Sequence, residues 1–192
     1  MGKITELPMK ILLIADQNTS KPIPEIMGEH PDIELIITLG DLYQFDIQAL
    51  ADIVHIPKIG VYGNHCDGRY MEPLGIKNLH LATFGYRGLT FMGYEGCVRY
   101  KPFGDLQSTQ EECAMRMKCA PKVDVFISHC PPRCINDNTD SVHFGFDALR
   151  EYVDTNSPRF FFHGHTYEDG RFVERYKDTR MVYVTREKIM EI

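Results

Sequence analysis

Residues 9–41 read MKILLIADQNTSKPIPEIMGEHPDIELIITLGD, and this stretch decides the fold. Two apolar runs, ILLIA ending at Ala15 and LIITL ending at Leu39, read as β-strands over 9–15 and 34–39. Between them, IPEIMGEH has the make-up of a short helix. A third apolar run at 58–62 follows the helical-looking QFDIQALADI. Strand, helix, strand, helix, strand predicts parallel crossover connections and an α/β layered fold. Ligands in such sheets sit beyond the carboxyl ends of the strands. Asp16, Asp41 and Asn64 fall at those ends.

Outward from this core the pattern changes. Residues 78–96 hold short β-like runs split by Tyr86-Arg87-Gly88 and read as a hairpin. Residues 108–118 read as a helix, where both Ser108 with Glu111 and Thr109 with Glu112 have capping-box spacing. A strand is predicted at 123–128, then a loop rich in Pro and Asn over 131–144, a helix around FGFDALREYV, and the strand RFFFH. The tail has β runs around Lys177-Asp178 and Arg186-Glu187, which predict a closing antiparallel meander. No repeat or linker interrupts the chain, so residues 1–192 are expected to form one domain.

Composition narrows the function classes. The formal net charge of −6 gives no electrostatic case for binding a nucleic-acid backbone. A bound cation can still make one pocket locally positive, which leaves small phosphate esters as substrates. No apolar stretch approaches the roughly 20 residues that cross a bilayer. MGKITELPMK lacks the basic region and apolar core of a signal peptide. The six cysteines form no C-x-x-C pair, which fits reduced thiols and a cytoplasmic location. Cys130 and Cys134 alone are weak grounds for a zinc knot.

Five polar strings each follow an apolar run: Asp16-Gln17-Asn18, Gly40-Asp41, Gly63-Asn64-His65, Ser128-His129 and His163-Gly164-His165-Thr166-Tyr167. Singly they are bland: Asp41 could cap a helix, and Asn64 could be a turn residue. Together they offer the carboxylate, amide-oxygen and imidazole donors that divalent metals require. In this order they resemble the calcineurin-like metallophosphoesterase family, whose pattern is D-x-H, G-D, G-N-H, H and G-H-x-H.

The resemblance implies a four-layer α/β/β/α sandwich and a site for one or two divalent ions, manganese foremost, with iron, zinc, nickel or magnesium as alternatives. Asp41 would bridge the two ions. Asn64, His129 and His165 would complete the second site, and Asp16, Asn18 and Tyr167 the first. Asn18 and Tyr167 depart from the pattern, because the family has histidines there. A neutral amide is a weaker ligand for transition metals than imidazole, and phenolate formation at Tyr167 starts from a pKa of about 10. His163 lies two positions too early for the motif and reads as a core or supporting histidine.

His65 would protonate the leaving alkoxide, with Asp67 as the candidate that orients it. Cys66 and Cys130 flank site residues and read as packing thiols. Arg69, Arg99 and Lys101 are candidates for holding phosphate. The implied activity is hydrolysis of a phosphomonoester or phosphodiester by a metal-activated water, with one metal site intact and the other weakened. The alternative is a catalytically silent member acting as a binding or scaffold protein. The sequence leaves the oligomeric state open.

Overall fold

The computed structural model describes residues 8–104, 106–166 and 172–192. β1 (Lys10–Ala15) runs through α1 (Ile23–Glu29) to β2 (Ile33–Thr38). α2 (Gln44–Ile47) and a 3-10 turn over Gln48–Asp52 then lead to β3 (Lys58–Gly60) and β4 (Lys77–Asn78). β5 (Thr83–Tyr86) and β6 (Leu89–Tyr94) form the expected hairpin. A small ladder of β7 (Cys97–Val98) and β8 (Gln107–Ser108) precedes α3 (Gln110–Met117) and β9 (Val125–Ser128). α4 (Asp147–Asn156) and β10 (Phe160–His163) follow, and then β11 (Arg175–Tyr176), β12 (Thr179–Tyr183) and β13 (Arg186–Glu191).

Two sheets result. One has the order β13-β1-β2-β3-β4 and the other β11-β12-β10-β9-β6-β5. β1, β2 and β3 are parallel neighbours, as are β6, β9, β10 and β12. The period of two along each strand then sorts side chains into layers. Ile11, Leu13, Leu35 and Ile37 meet Phe91, Val125, Ile127 and Phe162 between the sheets. Leu12, Ile14 and Ile36 face the other way, against Ile23 and Ile26 of α1 and Ile47 of α2. Met92, Phe126 and Phe161 pack outward against Cys113 of α3 and Leu149 of α4. Helix, sheet, sheet, helix is therefore the observed architecture.

Local chemistry sets the helix ends. Pro24 sits in the first turn of α1, where a missing N–H costs nothing. Of the two capping boxes available to α3, the chain uses Thr109 with Glu112. Glu112 N donates to Thr109 Oγ1 at 3.1 Å, and Thr109 N donates to Glu112 Oε2 at 2.8 Å. Ser108 belongs instead to β8, where its hydroxyl meets Tyr94 and Arg116.

The tail follows the predicted meander in its first half, where β11 and β12 pair antiparallel about Lys177-Asp178, and departs from it in the second. β12 ends at Tyr183 alongside β10, and β13 begins at Arg186 antiparallel to β1 in the opposite sheet. The crossing at 184–185 links the two sheets at the edge where β1 and β10 end, with Val184 N donating to His163 O at 2.8 Å. Hairpin signals in the sequence report a reversal, not which sheet receives the returning strand. Among the described residues, no helix is long and apolar enough to cross a membrane.

Candidate metal centre

Asp16 follows β1, Asp41 follows β2, Asn64 lies just beyond β3, His129 follows β9 and His165 follows β10. The carboxyl ends of both sheets open on one edge, and these five residues meet there. Asp16, Asp41 and His165 have positive φ values of 62°, 51° and 71°. Non-glycine residues adopt that left-handed conformation at a cost of about 1–3 kcal/mol each, which the surrounding structure must offset. Three of the ten non-glycine residues with positive φ among the described residues thus lie at this edge.

Main-chain donors fix the carboxylates. His165 N donates to both oxygens of Asp16, at 3.2 and 3.0 Å. His65 N donates to Asp41 Oδ1 at 2.7 Å. Close backbone approach makes this seating selective. A Cβ at Gly63 would lie 2.2 Å from Asp41 Oδ1, and one at Gly164 would lie 2.9 Å from both Asp16 oxygens.

Main-chain acceptors fix the imidazoles. His129 is fully buried, with Nδ1 2.8 Å from Leu39 O, and His165 places Nε2 2.9 Å from Val142 O. A carbonyl only accepts, so each of those nitrogens carries the proton and the other ring nitrogen offers a lone pair. The two lone-pair nitrogens, His129 Nε2 and His165 Nδ1, are 3.1 Å apart. Asn64 Oδ1 is 3.1 Å and Asp41 Oδ2 3.3 Å from His129 Nε2. Four acceptor atoms thus point at one another. Asn64 faces this point with Oδ1, and its Nδ2 is buried with no hydrogen-bond partner among the described residues. Bare acceptors repel at such distances, and either a proton on His129 Nε2 or a cation among them relieves that repulsion.

The electrostatics agree. Burial opposes charge on His129, but Asp41 and Asp16 outweigh it and lift its pKa to about 9. Burial, with charged His129 adding to it, holds His165 far below the usual imidazole value. Burial raises the Asp16 carboxyl to about 6, with His129 opposing and Asp41 adding to the rise. The corner accommodates one positive charge, carried either by a proton on His129 or by a metal in its place. Among the described residues, Asp41, His129 and His165 are the one group of three His, Cys, Asp or Glu side chains that converges in this way.

A cavity of about 320 Å³ opens onto the centre. Asp16, Asp41, His65 and His165 reach its wall, joined by Gln17, Tyr43 and His143. Asn18 is exposed and lies off that wall, and Tyr167 falls outside the described residues. His65 is exposed at the mouth, but Asp67 accepts its hydrogen bond from Arg69 N at 2.9 Å and makes none to His65 among the described residues. No Arg or Lys among the described residues lines the cavity. Arg99 holds Glu112 and Gln107 O, and Arg69 lines a separate surface cleft.

His163 is buried behind the site, with Nδ1 3.2 Å from Gly164 O and Nε2 3.0 Å from Asn136 Nδ2, the supporting position expected of it. Cys66 accepts from Gly63 N at 3.2 Å, and burial raises its pKa, so it packs as a thiol. Cys130 is buried and Cys134 exposed. Sequence reasoning missed Leu39 O, Val142 O, Tyr43 and His143. The carbonyls carry no side-chain signature, and His143 sits in a loop without motif spacing.

Solved structures share the overall fold. A solved structure 14% identical over 96% of this chain and 95% of its own superposes with a TM-score of 0.69. TT1561 of Thermus thermophilus is 16% identical over 94% of this chain and 90% of that one, with a TM-score of 0.63. At such identities the likeness shows the fold. No curated protein matches the chain. The profile of the calcineurin-like phosphoesterase superfamily domain matches residues 9–184, and with nearly the whole chain covered, the protein belongs to that family.

Proposed function

We propose that the protein hydrolyses a phosphate ester with the help of a divalent metal held by Asp41, Asn64, His129 and His165. One observation carries the reading: four acceptor atoms converge, two of them on buried histidines, and main-chain carbonyls fix both imidazole tautomers that complete the set. A cation bound there, manganese foremost, supplies Lewis acidity to a phosphoryl oxygen and to an attacking water. Asp16 and Asp41 offer a second, weaker position without the two imidazoles usual at 18 and 167.

In this reading His65, exposed at the cavity mouth, gives a proton to the departing alkoxide as the ester bond breaks. Asp41 anchors the main chain of His65, so the donor is tied to the metal site through one carboxylate. With no Arg or Lys on the described wall, neutralising phosphate charge falls to the bound cation and the imidazoles. The cavity volume suits a phosphate with a small leaving group. A cytoplasmic setting agrees with the free cysteines.

The second reading, a silent scaffold, draws on exposed Asn18. Against it stands the cost of burying converged acceptors that scaffolding does not use. Manganese-dependent hydrolysis of chromogenic mono- and diesters, with Asp41→Ala beside the unaltered protein, decides between them. Turnover lost in the variant supports the enzyme, and no turnover with any divalent metal supports the scaffold.

A further inference from the structure

Tyr43 lines the cavity wall together with Asp41 and His65, yet it stays 66% exposed. Leu42 and Ile47 take the core positions on either side of it in the chain, which leaves Tyr43 to face outward. The main chain around it is fixed. Asp46 N donates to Tyr43 O at 3.0 Å, and His65 N holds the Asp41 carboxylate two residues earlier. Its φ and ψ of −97° and 139° are those of ordinary extended backbone. Among the described residues the ring stacks on no other aromatic, and the hydroxyl has no hydrogen-bond partner. A tyrosine held this way offers contact area while only two side-chain torsions remain to be ordered.

The rest of the wall limits what that ring can meet. No Arg or Lys among the described residues lines the cavity, so a leaving group with a further negative charge finds no such partner there. In the hydrolytic reading above, on which this inference rests, the leaving oxygen takes its proton from His65. His65 and Tyr43 share the wall, so the organic part of the ester departs through space that Tyr43 borders. A cavity of about 320 Å³ is at the small end of ligand sites and admits a phosphate with one flat group, not a polymer. We propose that Tyr43 is a specificity-determining residue that stacks on an aromatic leaving group, so that esters of phenols or nucleosides are preferred to esters of aliphatic alcohols.

The test begins with ligands that cannot be hydrolysed. Calorimetry of the manganese-loaded full chain should show phenylphosphonate binding about 5–10-fold more tightly than methylphosphonate, which is what one aromatic stack contributes at an exposed edge. Tyr43→Ala should remove that preference and leave methylphosphonate binding unchanged, and Tyr43→Phe should restore it. Phe45→Ala is the control: Phe45 is 78% exposed and off the wall, and its loss should change neither affinity. In turnover, Tyr43→Ala should raise KM about 5–10-fold for phenyl phosphate or a nucleoside monophosphate, with kcat and the KM for glycerol phosphate little altered. The ester that responds tells whether the ring is an aryl group or a base. Unchanged melting of Tyr43→Ala would show that it is folded.

Equal affinity for the two phosphonates in the unaltered protein would overturn the assignment, and so would a preference that survives Tyr43→Ala. Turnover in either case would leave the phosphoesterase reading standing. A Tyr43-dependent preference without turnover of any ester would support the aromatic subsite and overturn hydrolysis instead. Neither phosphonate bound and no ester turned over would overturn both.

Discussion

Gly63→Ala is the sharpest local perturbation of the centre. The added methyl carbon would lie 2.2 Å from Asp41 Oδ1, 2.5 Å from Asp41 N and 2.7 Å from Asp41 Cγ. Relief requires a movement on the order of 1 Å, since favourable carbon contacts begin at about 3.5 Å. Asp41 has little room to retreat. Its Oδ1 accepts from His65 N at 2.7 Å, its Oδ2 is 3.3 Å from His129 Nε2, and its own backbone is in the left-handed region. Either the carboxylate swings out of the acceptor set, or the 63–65 turn shifts and carries Asn64 and His65 with it. Overpacking of this kind costs about 1–3 kcal/mol. In a domain this size that lowers the melting temperature by about 2–12 °C.

The functional loss should be larger, because a displacement of about 1 Å at a reacting centre can cost on the order of 100-fold. Thermal melts and manganese-dependent ester hydrolysis measure the two effects. Gly85→Ala serves as control, since its added methyl meets nothing within 4 Å and its stability should change little. If Gly63→Ala melts, binds manganese and turns over like the unaltered protein, the packing of this turn against Asp41 is not what positions the carboxylate.

Other outcomes follow from the same geometry. Asp41→Ala should abolish manganese-dependent turnover, as read by chromogenic ester assay, because both proposed metal positions lose a ligand. Lowering the pH from 8 to 6 should weaken manganese binding by about tenfold per pH unit, because the metal must displace the proton that Asp41 and Asp16 favour on His129. Calorimetry in buffers of different ionisation enthalpy would count the proton released. Thr109→Ala removes the α3 capping box and should cost about 1 kcal/mol, or roughly 2–4 °C in melting temperature. Phe126→Ala empties a fully buried place stacked on Phe161 and should cost about 3–5 kcal/mol in denaturant unfolding.

The strands carrying Asp16, Asp41 and Asn64 were legible in the sequence because each is a local apolar run that ends in a polar residue. Parallel pairing followed from the helices between them. The sandwich itself was legible only through the motif order. That Leu13 faces Ile127 while Leu12 faces Ile26 is a matter of which sheet packs on which face, and both residues look alike along the chain. β13 crossed to β1 because its register is decided by a partner at the other end of the chain, Lys10 against Glu191. At the site, side-chain ligands were readable from their types and spacing. The Leu39 and Val142 carbonyls that set the tautomers were not, since every residue has one. His143 was hidden for a related reason: the 131–144 loop folds around Asp140 through contacts that no periodicity encodes.

The most direct measurement of the central claim is anomalous diffraction at the manganese edge from crystals of the manganese-loaded protein. The account predicts a strong peak within bonding distance of Asp41, Asn64, His129 and His165. Turnover from crystals or solution with no peak at that point would contradict it.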